Sequence, residues 1–304
     1  MPSGLTTPDQ HEPPLLYHYT NAGGLQGIIG NRELWATESN YLNDPSEISF
    51  ASVELLRILE EMKRAGTEHP DRAEHAIELL KRAYVDPNSA SQYQEDRAFI
   101  TSFSRSDQSL TLWRLYSGRN GFSIGFDENV LQAWIGAPTP ADFPQEFEAT
   151  DQERLRAYNM NFHIETRVEE VSYDSARIQE VAEIIMTTPL VVGEPFADEA
   201  RLRLTLRAVA GVKHHAFADE KEARLIVQAV GDFAADPSVR VAADGSLVAY
   251  RKVAIPFEAV RSITIAPAAN VQRTEHALQS LMRTGGRGAW SHVEVRSFDV
   301  PFAW

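Results

Sequence analysis

The sequence predicts an α+β fold built on a mostly antiparallel sheet, and three patterns support this prediction. Apolar and polar residues alternate in stretches such as GFSIGFD and EARLIVQAV, which is the period of β-strands. Apolar residues recur three and four positions apart in EISFASVELLRILEEMKRAG, which is the period of an amphipathic helix. An Asp-Gly pair between the strand-like halves of VRVAADGSLVAYRKVAI predicts the tight turn of a hairpin. Hairpin-linked strands flanked by helices follow from these patterns.

The composition indicates a globular protein and excludes several kinds of site. The chain has 304 residues, 43% of them hydrophobic, so it can bury a full core. A net charge of -14 argues against a broad electrostatic grip on duplex nucleic acid. The absence of cysteine excludes disulfides, thiolate metal sites and a cysteine nucleophile. Because no secretory signal and no apolar run of roughly 18 residues is present, we expect a cytoplasmic protein without a membrane span.

The N-terminal third is predicted to contain two strands and three helices after a flexible lead-in. Residues 1–14 form the lead-in, because they are rich in proline and polar groups. The predicted strands are LLYHYT and the run through Leu34, Trp35 and Ala36, and the predicted helices are NAGGLQGIIG, EISFASVELLRILEEMKRAG and RAEHAIELLKRAY. YLNDPSE has the composition of a turn followed by a helix start, and DPNSASQYQED that of a loop.

The rest of the chain is predicted to mix strands with helices and one long excursion. The predicted strands are RAFITSFSR, GFSIGFD, TRVEEVSYD, EARLIVQAV, the hairpin VRVAADGSLVAYRKVAI, RSITIAP and SHVEVRSFDV. The predicted helices are SLTLWRLYSG and residues 175–188, 195–212 and 271–283. Residues 137–160 lack a period and are predicted to be a mobile excursion. We therefore expect a single domain over 15–304 with helical insertions at about 46–90 and 137–212.

The first candidate site is the strand LLYHYT, in which hydrogen-bonding side chains follow one another. The period of two places His18 and Thr20 on one face of the strand and Tyr17 and Tyr19 on the other. A histidine and a threonine on one face can hydrogen-bond a ribose or a phosphate. The alternative is a buried histidine that the backbone satisfies.

Hydroxyl groups and charges on two later strands are the next candidates. Ser102 and Ser104 lie two residues apart, so they share a strand face and leave room for a planar ligand. Glu220, Glu222 and Arg224 also share a face if their strand begins near residue 220. One carboxylate there can steady a positive charge developing on a ribose carbon, and the other can orient or deprotonate a nucleophile. The alternative is an exposed Glu-Arg ladder on a solvated face.

Aromatic and amide side chains complete the set of candidates. Trp113 and Tyr116 lie three apart in a predicted helix, so one of them can stack on an aromatic ring, although core packing is the favoured role of Trp113. Asn43 in YLNDPSE is a candidate for a pocket wall, and a turn is its favoured role. The adjacent His214 and His215 lack the spacing of metal ligands, so we expect no metal.

The order of these motifs resembles an uncharacterised bacterial family defined only as a domain of unknown function. The motifs that carry the resemblance are LYHYT, LWAT, YLNDPSE, FITSFS, SLTLWRLYS, GFSIGFD, DEKEARLIV and SITIAP. The resemblance extends from about residue 15 to the end of the chain, and the order of several motifs is more specific than any one of them. The chain departs from the family at Ala266, where glycine is expected.

A second resemblance, to the ADP-ribosyltransferase superfamily, supplies chemistry. A histidine on the first strand, hydroxyl residues on a middle strand and Glu-x-Glu at a late strand are similar to the motifs of these enzymes, which bind NAD in a cleft between two small sheets. The resemblance implies a split, mostly antiparallel arrangement of sheets with flanking and inserted helices. This chain combines the histidine of one class of the superfamily with the Glu-x-Glu of another.

The same resemblance implies roles for the candidate residues. Glu222 is the implied catalytic carboxylate on the ribose, and Glu220 is oriented toward the acceptor. The implied NAD-binding residues are His18, Tyr19, Thr20, Ser102, Ser104, Trp113, Tyr116, Arg224 and Asn43.

The implied function is NAD-dependent ADP-ribosyl transfer, with NAD as the substrate and a protein or nucleic acid as acceptor. By analogy, such an enzyme is a bacterial toxin or a defence factor. Two alternatives stay open. One is a non-catalytic module that binds NAD, ADP-ribose or a nucleic-acid end. The other is NAD hydrolysis or phosphate transfer, as in the RNA 2'-phosphotransferases, for which Arg105, Arg114 and Arg119 are available.

Overall fold

A computed structural model describes most of the chain. The described residues are 13–42, 45–81, 84, 97–135, 163–187, 205–230, 237–242, 245–267, 270–284 and 288–298. The candidate Asn43 and the excursion predicted over residues 137–160 lie outside these ranges, as does most of the predicted lead-in.

Within these ranges, ten strands form a single sheet. They are β1 (Leu15–Thr20), β2 (Glu33–Glu38), β3 (Arg97–Ser104), β4 (Phe122–Asp127), β5 (His163–Glu170), β6 (Glu222–Val230), β7 (Ser238–Val241), β8 (Leu247–Ala254), β9 (Val260–Ile265) and β10 (Glu294–Ser297). The main path runs β10-β9-β4-β1-β3-β2-β8-β7, and β6, with β5 beside it, branches from β3. The β9–β10 pair is parallel and the other pairs are antiparallel. The predicted α+β class with a mostly antiparallel sheet is confirmed.

Most helices agree with the predicted periods, but the helix Glu128–Ile135 was not predicted. The long helices span Ala22–Asn31, Pro45–Arg64, Pro70–Leu80, Glu128–Ile135, Ala176–Thr187 and Val271–Thr284. The first begins at Asn21, whose side chain accepts a hydrogen bond from the amide of Gly24, and ends where Arg32 adopts a left-handed conformation. The predicted helix SLTLWRLYSG is one α-helical turn, Leu110–Leu112, that continues as a π-helix over Trp113–Ser117.

The two faces of the sheet are covered by different helices. Successive residues of a strand point to opposite faces, so β3 sends Phe99 and Phe103 into one core and Ala98 and Ile100 into the other. The first core contains residues of the helices that begin at Ala22, Glu128 and Val271, and the second those of the helices that begin at Pro45, Pro70 and Ala176. β3 is therefore the central strand of both cores.

A helix that crosses a bilayer needs about 20 mostly apolar residues. Within the described residues, no helix has the length and apolar character needed to cross a bilayer.

Candidate functional site

A cavity opens where β1 and β2 separate along one edge of β3. On its other edge β3 pairs with β6 along its whole length. On the cavity edge, β2 pairs with Phe99 and Ile100, and β1 pairs only with Ser104. Residues 101–103 therefore face an interruption in the sheet, and a cavity of about 520 Å³ lies there. Its walls come from β1, the helix Ala22–Asn31, β2, β3, β7, the π-helix and the segment that leads into β6.

His18 crosses the interruption with a side-chain hydrogen bond. Its Nδ1 lies 3.0 Å from the carbonyl oxygen of Ser102. Because a carbonyl only accepts, Nδ1 carries the proton, and Nε2 of the neutral ring is an acceptor. Burial lowers the pKa of His18 below its ordinary value, and the hydrogen bond to Ser102 opposes this shift only in part. His18 is therefore neutral and lines the cavity with an acceptor available.

The predicted alternation along β1 is confirmed. Register partners in an antiparallel pair share a face, so Tyr17 lies on the face of Ser104. His18 lies on the opposite face, where its ring meets Phe103 edge-on at 5.9 Å between centroids. Residues of both faces line the cavity, because the interruption connects the two faces of the sheet. They are Tyr17, Ser104, His18 and Phe103. Tyr19 is fixed there by a hydrogen bond of 2.7 Å from its hydroxyl to the carbonyl of Ser106.

The two serines of β3 share a face, as predicted, but their environments differ. Ser104 is buried, and its hydroxyl donates to the carbonyl of Glu220 at 2.7 Å. Ser102 is exposed toward the cavity, and its hydroxyl hydrogen-bonds the carboxylate of Glu222. Ser104 therefore fixes the backbone that carries the glutamates, while Ser102 is accessible to a ligand.

Two carboxylates and two cations form a buried cluster beside the serines. Glu222 receives hydrogen bonds from Nε of Arg224 on one oxygen, at 2.7 Å, and from Nη2 of Arg224 on the other, at 3.0 Å. Nζ of Lys213 lies 2.7 Å from Oε2 of Glu220 and 3.2 Å from Oε2 of Glu222. The formal charges of the four groups cancel, as the burial of charged side chains requires.

The cluster holds Glu222 in its ionised form. Burial raises the pKa of the Glu222 carboxyl, but the charge of Arg224, its hydrogen bonds and the charge of Lys213 outweigh burial, so the pKa lies below its ordinary value. The amide of Glu222 donates to the hydroxyl of Tyr173 at 2.8 Å, which fixes the start of β6. An ionised, positioned carboxylate at the cavity wall is the result.

The predicted common strand face for Glu220, Glu222 and Arg224 is only partly correct. β6 begins at Glu222, so Glu222 and Arg224 share a face. Glu220 instead ends a 3-10 helix, His215–Glu220, and Lys221 follows in a left-handed conformation with φ 45°. The prediction took the acidic run as continuous strand, whereas Lys221 turns the chain between the two glutamates.

The other candidates divide between the cavity wall and the protein interior. Thr20 and Tyr116 line the cavity. Trp113 is fully buried, stacks on Phe298 and is not among the lining residues. Arg224 lies behind the wall and donates to the carbonyl of Ala210 as well as to Glu222. In the part of the chain that the structure describes, no group of three His, Cys, Asp or Glu side chains is placed to hold a metal.

Lys213, Trp35 and Arg240 line the cavity and were not among the sequence candidates. Lys213 precedes the histidine pair and has no local pattern that marks it as buried. Trp35 and Arg240 come from β2 and β7, which are separated by about 200 residues in sequence and brought together only through β8. The alternation of the run ELWATE does place Trp35 on the face opposite the core residues Leu34 and Ala36, and this is the one signal that the sequence offers.

Of three comparisons with known proteins, one gave a match, which covers part of the chain. A search of curated proteins and a search of solved structures each gave no match. A family model described as Protein of unknown function (DUF2971) matches residues 112–225, which include Glu220, Glu222 and Arg224 but not His18. The resemblance to a domain of unknown function is thereby confirmed for residues 112–225 of the chain.

Proposed function

We propose that the chain is an NAD-dependent ADP-ribosyltransferase that transfers ADP-ribose from NAD to a macromolecular acceptor. One observation carries the proposal: neutral His18 and ionised Glu222 line the same cavity, at the point where the sheet divides. The cavity volume of about 520 Å³ is within the range of small-molecule and cofactor sites. The gap between β1 and β2 beside β3 gives this single sheet a cleft, as the proposed NAD site requires.

The proposed reaction breaks the bond between the nicotinamide nitrogen and the ribose. The bonding electron pair leaves with nicotinamide, and the ribose carbon acquires oxocarbenium character. The negative charge of Glu222 stabilises that carbon, while Nε2 of His18 accepts a hydrogen bond from a ribose hydroxyl. A lone pair of the acceptor then forms the new bond to carbon, and Glu220 takes the proton that the acceptor loses. No metal is needed for these steps.

The cluster also favours a second candidate, a non-catalytic module that binds NAD or ADP-ribose. Both oxygens of Glu222 are held by Arg224, one of them also by Lys213, and Ser102 adds a further hydrogen bond. A carboxylate neutralised by two cations presents less charge to an oxocarbenium ion than an uncompensated one. The phosphotransferase alternative has less support, because Arg105, Arg114 and Arg119 are absent from the cavity wall that the described residues form.

Release of nicotinamide from NAD, with calorimetric NAD binding measured in parallel, tests the proposal. The proteins are the wild type, Glu222→Gln, and Glu294→Gln as a control, because Glu294 is also an ion-paired strand glutamate but lies outside the cavity. We expect release by the wild type and the control, and loss of release with retained binding in Glu222→Gln. NAD binding without release in all three proteins would favour the module, and absence of NAD binding would exclude the transferase and an NAD-binding module.

A further inference from the structure

The cavity has a second end, formed by β2 and β7, that the proposed chemistry does not use. Trp35 and Arg240 line this end. Trp35 is 38% exposed, whereas large aromatic side chains are usually more deeply buried. An exposed indole inside a cavity wall is suited to contact a ligand.

The indole of Trp35 is held in one orientation. Its Nε1 donates to Oε1 of Glu33 at 2.9 Å. Its ring packs on Tyr250, with 4.6 Å between centroids and 38° between planes. These contacts preorganise the ring, and the 38% of Trp35 that stays exposed at the cavity wall offers aromatic surface to a planar ligand.

Arg240 places a positive charge over this ring. Its Cζ lies 5.9 Å from the centroid of Trp35, and its Nη2 donates to the hydroxyl of Thr37 at 3.1 Å. Its Nε is withdrawn from solvent and has no hydrogen-bond partner. Among the described residues, no carboxylate forms an ion pair with Arg240. A guanidinium held by one neutral hydroxyl retains charge and donors for an anion.

We propose that this end of the cavity binds a purine nucleotide moiety, with the base against Trp35 and its phosphate beside Arg240. A planar ring next to an anionic group is the chemistry that a fixed indole next to a guanidinium recognises. The inference rests on the proposed function in taking the cavity as a nucleotide site. The moiety is either the adenosine half of NAD or a nucleotide of the acceptor, and both share this chemistry.

Calorimetric titration with AMP and with adenosine tests the inference. The variants are Trp35→Leu and Arg240→Met, and the matched control is Trp134→Leu, because Trp134 is 46% exposed and lies outside the cavity. Loss of base stacking is expected to weaken AMP binding by roughly tenfold to a hundredfold in Trp35→Leu. Arg240→Met is expected to weaken the binding of AMP but not of adenosine, and Trp134→Leu to bind as the wild type does.

Three outcomes overturn the inference. They are no AMP binding by the wild type, AMP affinity in a folded Trp35→Leu within twofold of the wild type, and equal weakening in Trp134→Leu. Trp35→Phe keeps an aromatic ring, so it is expected to recover part of the affinity and to separate stacking from a folding defect.

Competition between AMP and NAD identifies the source of the moiety. Mutual exclusion assigns this end to the adenosine half of NAD, and simultaneous binding assigns it to a nucleotide of the acceptor. The inference and the proposed function fail separately. If AMP binding depends on Trp35 but the protein neither binds nor cleaves NAD, the inference is supported and the proposed function is excluded. If the protein releases nicotinamide but AMP binding does not depend on Trp35, the proposed function is supported and the inference is excluded.

Discussion

The side chain of His18 supplies a hydrogen bond that the backbone of a neighbouring strand supplies elsewhere in the sheet. The carbonyl of Ser102 lies where β1 and β2 have separated, and Nδ1 of His18 is the donor that satisfies it. This bond also determines which ring nitrogen keeps its lone pair. One hydrogen bond therefore closes a gap in the backbone pairing and prepares an acceptor at the cavity.

The lowered pKa of His18 predicts a pH dependence of stability. The unfolded chain protonates this histidine near its ordinary pKa of 6.5, and the folded chain does so only at lower pH. The stability that neutral His18 contributes to the fold is therefore complete above pH 6.5, and it is lost as the pH falls through the pKa of His18 in the folded protein. The wild type is expected to lose more stability than His18→Gln between pH 8 and pH 5, as measured by urea unfolding. Equal losses in the two proteins would contradict this.

Lys213 is expected to be much more important for stability than an exposed lysine. Lys213→Met leaves two buried carboxylates with one cation fewer, which should cost about 3–5 kcal/mol of unfolding free energy. Lys252→Met is the control, since the Lys252 side chain is 51% exposed and its pair with Glu33 should contribute less than about 1 kcal/mol. Urea unfolding measures both variants. Similar small losses would show that the buried pairs do not support the fold.

At the scale of elements, the helix Ala22–Asn31 and the start of β6 position the two sides of the cavity. Gly23, Gly24 and Gly27 of the helix line the cavity, so the backbone itself forms part of the wall. On the other side, the 3-10 helix His215–Glu220 and the left-handed Lys221 deliver Glu222 at the first position of β6. The helix Ala22–Asn31 and the turn at Lys221 therefore determine which groups face each other across the cavity.

The close approach of the helix to β1 predicts opposite effects for two glycines. A Cβ on Gly24 would lie 2.0 Å from Oγ1 of Thr20, whereas a Cβ on Gly30 would meet nothing within 4 Å. Gly24→Ala should therefore destabilise the protein by about 1–3 kcal/mol through overpacking. Gly30→Ala should stabilise it by roughly 0.5–1 kcal/mol, because alanine suits a helix better. Thermal and urea unfolding compare them, and equal behaviour would rule out the close contact.

At the scale of the whole molecule, one sheet carries the two largest hydrophobic cores of the described residues. β3 and β6 contribute to both, because alternate side chains of each strand point into opposite cores. If either set of helices came away from the sheet, one face of β3 and β6 would become exposed to water. The two cores should therefore unfold together.

Core truncations on the two sides test this coupling. Leu55→Ala removes buried volume from one core and Leu278→Ala from the other, and each should cost about 2–5 kcal/mol. Both variants are expected to shift one common transition, seen at the same urea concentration by far-ultraviolet circular dichroism and by tryptophan fluorescence. Separate transitions for the two probes in either variant would show that the cores unfold independently.

Local patterns in the sequence determine the α+β class, most helices and strands, and the side-chain alternation of β1 and β3. These features depend on periods of two and 3.6 residues, which a short stretch of chain specifies by itself. His18, Ser102 and Glu222 could therefore be named before the fold was known, and all three line the cavity.

Only the tertiary structure decided which of these residues meet, and with what partners. The interruption beside β3 depends on pairing among strands far apart in the sequence, and local periodicity does not encode such pairing. The same long-range packing buries Lys213 between two glutamates, places Arg224 behind the cavity wall and brings Trp35 beside Arg240. A residue's type and period determine what its side chain can do, and the three-dimensional arrangement of distant segments determines the groups with which it acts.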